Sequence, residues 1–163
     1  MNTIGQKEIH TQKNVIAFFE QELGYNYLGD WHHRQDNNNI EEAQLTDWLK
    51  RQGHSDQIIS RVLFKLNNAA TLAGSQTLYG ANREVYDLLR YGIKVQPSAS
   101  EQNITVWLID WENPLNNDFS IAEEVTVYGN NIKRPDIVLY VNGIALGVLE
   151  LKRSTVSIAE GIR

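Results

Sequence analysis

The sequence predicts an α/β chain of the α+β kind, with a helical N-terminal portion and a central, mostly antiparallel or mixed sheet flanked by helices. Three observations carry this. Apolar residues recur at helical spacing up to residue 90. From residue 93 the period shortens to two, and β-branched and aromatic residues take over. Asn142-Gly143 then joins two apolar runs, the strongest short-range signal of a β-hairpin.

The elements follow in order. Residues 11–23 form a helix with Val15, Ile16, Phe18, Phe19 and Leu23 at helical spacing, stopped by Gly24. Residues 25–28 make a short strand, and the polar stretch 29–39 a loop. Residues 40–52 form a second helix, with Glu41 and Glu42 near its positive N-terminal end. Ser55 caps a third helix over 56–72, which carries Ile58, Ile59, Val62, Leu63 and Leu66 on one stripe. Residues 81–90 form a fourth, with Val85, Leu88 and Leu89 inward and Gly92 ending it. Strands are expected over 93–96, 104–111, 119–128, 137–141 and 144–151, and Ser154 caps the start of a last helix. The runs 137–141 and 144–151 are apolar on both faces, which belongs in the middle of a covered sheet.

Three polar residues break into the last two strands. Asp136 follows Pro135 at the start of one, and Glu150 and Lys152 close the next. Glu150 and Lys152, two apart on a strand, share a face. Whether Asp136 joins them depends on register. A plain two-residue turn at Asn142-Gly143 sets Asp136 opposite Leu149, pointing away from Glu150. A three-residue loop, or a bulge within the Asp136 strand, puts Asp136 on the face of Glu150. One of these two is expected, and acids on opposite faces would contradict a shared site. Two carboxylates about 5 Å apart repel by roughly 3 kcal/mol at an effective dielectric of 20, so a nearly buried pair calls for a cation. Carboxylate oxygens with a backbone carbonyl suit Mg²⁺ or Mn²⁺, and the C=O of Leu151 is the third ligand expected. Such a metal activates a water and a phosphodiester, and Lys152 orients or deprotonates that water or offsets charge on the pentacovalent phosphate. Taken as an isolated pattern, an ion pair of Glu150 and Lys152 at a solvated strand end is the commoner explanation. The apolar runs around the acids and the tight hairpin tip the balance toward a site.

Bulk properties bound the remaining choices. The 163 residues suffice for a single domain over 1–163. The absence of cysteine excludes disulfides, thiolate zinc sites and cysteine nucleophiles, and suits a reducing, cytoplasmic setting. No apolar stretch is long enough for a membrane helix, so no membrane association is expected. A net charge of −5 argues against a free-standing tight DNA binder and points to a domain that meets DNA with the help of a partner.

The string Arg134-Pro135-Asp136, thirteen residues (137–149), then Glu150-Leu151-Lys152 resembles the PD-(D/E)xK nuclease signature. The whole block 134–152 resembles the N-terminal nuclease domain of the restriction (R) subunit of type I restriction enzymes. Thr11-Gln12, Leu23-Gly24-Tyr25 and the segment 82–92 agree. The resemblance implies a restriction-endonuclease-like core that hydrolyses DNA phosphodiester bonds with Mg²⁺. Asp136 and Glu150 would be metal ligands and Lys152 the catalytic lysine, with Glu8 or Gln12 as outer contacts. It implies double-stranded DNA and the modification and specificity subunits as partners. The family continues into an ATP-driven motor, and no GxxxxGK[ST] loop occurs here. The chain is therefore expected to be an N-terminal fragment, with ATP serving only a motor beyond it. The family's glutamine–tyrosine motif on the helix after the lysine is not reached, which leaves cleavage by the fragment alone open. Alternatives are a non-catalytic docking or DNA-binding module of the same fold, and a DNA-repair nuclease of the same superfamily. His32-His33, His10 and His54 read as surface residues, the four tryptophans as packing residues, and 79–91 as a packing helix.

Overall fold

The computed structural model describes residues 3–72, 77–98, 100–127 and 132–151, with side chains from Ile9 onward. The chain divides into two compact units, Met1–Asn39 with Asp118–Arg163, and Ile40–Asn117.

The first unit is built on a four-stranded mixed sheet. Helix α1 (Thr3–Gln21) leads into β1 (Asn26–Asp30), and β4 (Phe119–Glu123), β5 (Ile137–Val141) and β6 (Ile144–Leu149) complete the order β1-β4-β5-β6. β1 runs parallel to β4, and the other two pairings are antiparallel. Alternation along the strands gives each face its own core. Ile121 and Ile137 point to one face, where Ile16 of α1 covers them with Val15, Phe19, Leu139 and Leu149 around it. Ala122, Val138 and Tyr140 point to the other, against Trp31 and Val125. Trp31 lies in the segment read as a polar loop, and its indole N–H is satisfied by the carbonyl of Leu28 at 3.1 Å.

The second unit contains helices α2 (Glu42–Arg51), α3 (Asp56–Ala70) and α4 (Leu78–Tyr91), and the hairpin β2 (Ile93–Val95) with β3 (Ile104–Val106). Ser55 caps α3 as expected, its hydroxyl accepting from the N–H of Ile58. Leu45, Trp48, Leu49, Val62 and Leu66 are buried.

Four expectations need correction. The strand expected over 119–128 ends at Glu123, where Glu124 takes a positive φ. Among the described residues β6 is an edge strand, not an interior one: Leu146 and Val148 are exposed, and of the two hairpin strands β5 alone is flanked on both sides. The strand expected over 104–111 ends at Val106, because Leu108 and Ile109 pack inward at consecutive positions and Asp110 turns the chain by accepting from the N–H groups of Glu112 and Asn113. On α4 only Ala81 is fully buried; Val85, Leu88 and Leu89 are half-buried.

Candidate active site

The position of Asp136 relative to Glu150 is decided by the hairpin between β5 and β6. Asn142 and Gly143 both have positive φ, +51° and +81°, the two-residue turn whose twist suits a hairpin. Val141 therefore pairs with Ile144 and Tyr140 with Ala145. With nothing else, Asp136 would face Leu149. The register then shifts: Leu139 pairs with Gly147, leaving Leu146 as an extra residue on β6, and Val138 pairs with Val148 and Ile137 with Leu149. Continued by one position beyond the last paired residues, this register brings Asp136 level with Glu150. The expected geometry is reached by a different device. The loop has two residues, not three, and the bulge is on β6, not on the Asp136 strand. Gly147 is the physical reason: a Cβ there would lie 3.2 Å from Cδ1 of Leu139, and a glycine within a strand is where a bulge is cheapest.

Residues directly opposite on antiparallel strands carry Cβ atoms about 4.5–5.5 Å apart, so the register places the two carboxylates on one face at the end of the sheet. Asp136 is half-buried and Glu150 exposed, so the nearly buried pair of acids expected from the sequence is half-open to solvent. Oδ2 of Asp136 accepts a hydrogen bond from the N–H of Leu151 at 2.5 Å, which ties the end of β6 to the start of β5. Lys152 lies outside the described residues, as does the helix expected after Ser154. Glu8 lies on the N-terminal part of α1, and its side chain is outside the described set.

Gln12 is placed clearly. It is buried, at 8% exposure, and its amide donates to Oε2 of Glu123 at 2.8 Å and to Oε1 of Glu124 at 3.4 Å. Around it is a polar cluster that the sequence reading did not find. Tyr27 donates its hydroxyl to Oε1 of Glu123. Burial, and then this bond to the carboxylate, push the phenol of Tyr27 well above its ordinary value. Nε of Arg134 donates to Oε2 of Glu124 at 2.8 Å. His32, read as a surface residue, has its ring nitrogens 3.1 and 3.0 Å from Nη1 of Arg134 and Nδ1 4.0 Å from Glu124. The one local signal is the acidic pair Glu123-Glu124 at the end of β4, between the apolar residues Ile121-Ala122 and Val125.

The donor set fits a hard divalent cation of a particular kind. Among the described residues no group of three or more histidine, cysteine or acidic side chains could hold a metal. An all-protein cage is therefore not formed by them. Two facing carboxylates suit Mg²⁺, which is held by one or two carboxylates and keeps several waters.

Comparison with known proteins places the chain in a family. The family model for the type I restriction enzyme R protein N terminus matches residues 5–163. The chain belongs to this family. Its relatives include three proteins of Methanocaldococcus jannaschii. The putative type I restriction enzyme MjaVIIIP endonuclease subunit is 26% identical over 161 residues, 94% of this chain and 15% of its own length. The putative MjaIXP endonuclease subunit is 37% identical over 73 residues, 41% of this chain and 7% of its own. The putative MjaVIIP endonuclease subunit is 40% identical over 67 residues, 40% of this chain and 6% of its own. The chain thus spans at most 15% of the length of these curated relatives. No solved structure matches it. For this R-protein N-terminal domain, among the described residues, no helix is long and apolar enough to cross a membrane.

Proposed function

We propose that this R-protein N-terminal domain is the endonuclease domain of a type I restriction–modification complex, hydrolysing DNA phosphodiester bonds with Mg²⁺ or Mn²⁺. The observation that supports it most is the register of β5 and β6, which pairs Ile137 with Leu149 and, continued by one position, brings Asp136 level with Glu150. In this reading both carboxylates and the carbonyl of Leu151 would hold the cation. A cation held there would supply Lewis acidity toward a phosphodiester and make a bound water more acidic. The N–H of Leu151 fixes one oxygen of Asp136, so the carboxylate is already oriented before substrate arrives. Lys152, two residues beyond Glu150, orients or deprotonates the attacking water, or offsets the charge that grows on phosphorus.

The formal charge of −5 gives the chain no net attraction for DNA. The duplex is then delivered by other parts: modification and specificity subunits that select it, and an ATP-driven motor elsewhere in the polypeptide. The relatives' names, and the small share of their length that is matched, support that arrangement. A cytoplasmic location follows from the same proposal.

The test uses the full-length protein assembled with its partner subunits. Asp136→Ala, Glu150→Ala and Lys152→Ala should each abolish DNA cleavage and leave ATP hydrolysis unchanged. Wild-type cutting by any of the three would refute the assignment of that residue, and wild-type cutting by all three would leave the domain a docking module.

A further inference from the structure

We propose that Glu124, braced by Arg134, is a positioning residue for Asp136; the proposal rests on reading Asp136 as a metal ligand. Glu124 stands one position beyond β4, as Asp136 stands one position before β5, and Glu123 pairs with Ile137. The N–H of Glu124 donates to the carbonyl of Asp136 at 3.0 Å. Its carboxylate turns back to Arg134, two residues before Asp136, and accepts from Nε at 2.8 Å. These two bonds close a small ring through Arg134, Pro135 and Asp136. The proline within it fixes one more torsion. The backbone at the start of β5 is thereby held at both ends.

Glu124 adopts φ +53°, a left-handed conformation that side chains with a Cβ disfavour. Such a conformation persists only where the surroundings over-determine it. Here they do. Besides Arg134, buried Gln12 reaches Glu124 at 3.4 Å and Glu123 at 2.8 Å, so α1 holds the end of β4. Outer partners that orient a metal ligand in this way set its affinity as well as its geometry.

The experiment measures Mn²⁺ affinity by calorimetry and thermal midpoint in parallel, in the full-length protein. Glu124→Ala should weaken Mn²⁺ binding by about tenfold or more, the scale on which an outer partner acts, while Glu124→Gln, whose amide oxygen still accepts from Arg134, stays within about threefold. Arg134→Leu should match Glu124→Ala, and the double variant should bind no worse than the weaker single one, because one brace is broken either way. A fall in thermal midpoint with unchanged Mn²⁺ affinity in Glu124→Ala and Arg134→Leu would overturn the proposal. Should Glu124→Ala fail to fold, Arg134→Leu, a change at a half-exposed side chain, decides alone. Asp136→Ala is the control: if it binds Mn²⁺ like wild type, the metal site itself is refuted, and the brace with it.

Discussion

Asn142 shows how much one residue can settle. It is fully buried, holds φ +51°, and exchanges two hydrogen bonds of 2.8 Å with Asp118, its N–H donating to the carbonyl and its side-chain oxygen accepting from the N–H. Asparagine tolerates the left-handed region because its short polar side chain bonds locally. Asn142→Ala should cost about 1–3 kcal/mol, the price of leaving the Asp118 N–H unsatisfied, with strain added; chemical denaturation measures it, and no change in midpoint would contradict this account. Tyr27 is a second case. Its raised pKa means the fold favours the neutral phenol, so its contribution is present below pH 10.0 and lost only as pH rises past that value. Tyr27→Phe should flatten the alkaline limb of a stability profile. At this scale the sequence made the positions of Asp136 and Glu150 legible, since acids flanking apolar runs stand out locally. It could not show Glu123, Glu124, Arg134 and His32 as one cluster. Gln12 lies 112 residues from Glu124, and His32 102 from Arg134, and no pattern of spacing joins such pairs.

At the scale of elements, the β5–β6 hairpin is legible in the sequence as a hairpin and only in part as a register. The Asn142-Gly143 turn was plain. The sequence suggests a three-residue loop or a bulge in the Asp136 strand, and the extra residue instead lies on β6, beside Gly147 inside an apolar run. Edge position and a missing Cβ make β6 the strand that can absorb an extra residue. This leads to two length variants with opposite outcomes. Deleting Leu146 removes the extra residue and leaves Asp136 opposite Glu150, so Mn²⁺ affinity should stay within about threefold of wild type. Inserting one alanine between Gly147 and Val148 sets Leu149 opposite Asp136 and turns Glu150 to the other face, so affinity should fall at least about tenfold. Equal affinities in the two variants would show that register does not govern the site. The shortened β3 has a similar origin: apolar alternation ran on to Trp111, but the side chain of Asp110 turns the backbone, a local hydrogen-bonding choice that hydrophobic pattern does not record.

At the scale of the whole molecule, the chain read from its sequence as one domain divides by contact into two units, of which Ile40–Asn117 is continuous in sequence and has its own buried residues. Residues 40–117 alone should fold cooperatively, with Trp48 shielded from fluorescence quenchers; a non-cooperative melt would contradict its independence. Its acid response has a definite sign. The backbone N–H of Asn113, with the amide of Asn116, holds the carboxyl of Asp110 below the usual carboxylate range, and burial lowers the pKa of His54. Both groups have depressed folded values, so the stability each gives is present above its ordinary pKa and lost as pH falls: His54 from about pH 6.5 downward, Asp110 from about 3.8. Asp110→Asn should shrink the acid stage and spare the first. Fold class, strand order along the hairpin and family were legible because they rest on local periodicity and one contiguous motif. The parallel pairing of β1 with β4 was not, because it joins segments some ninety residues apart. The central claim is that Asp136 and Glu150, brought opposite one another by the β6 bulge, hold one divalent cation. Calorimetric titration of Mn²⁺ into the wild-type protein, Asp136→Ala and Glu150→Ala tests it most directly. The account predicts binding by wild type and a loss of at least about tenfold in affinity in each variant; equal binding by all three proteins would contradict it.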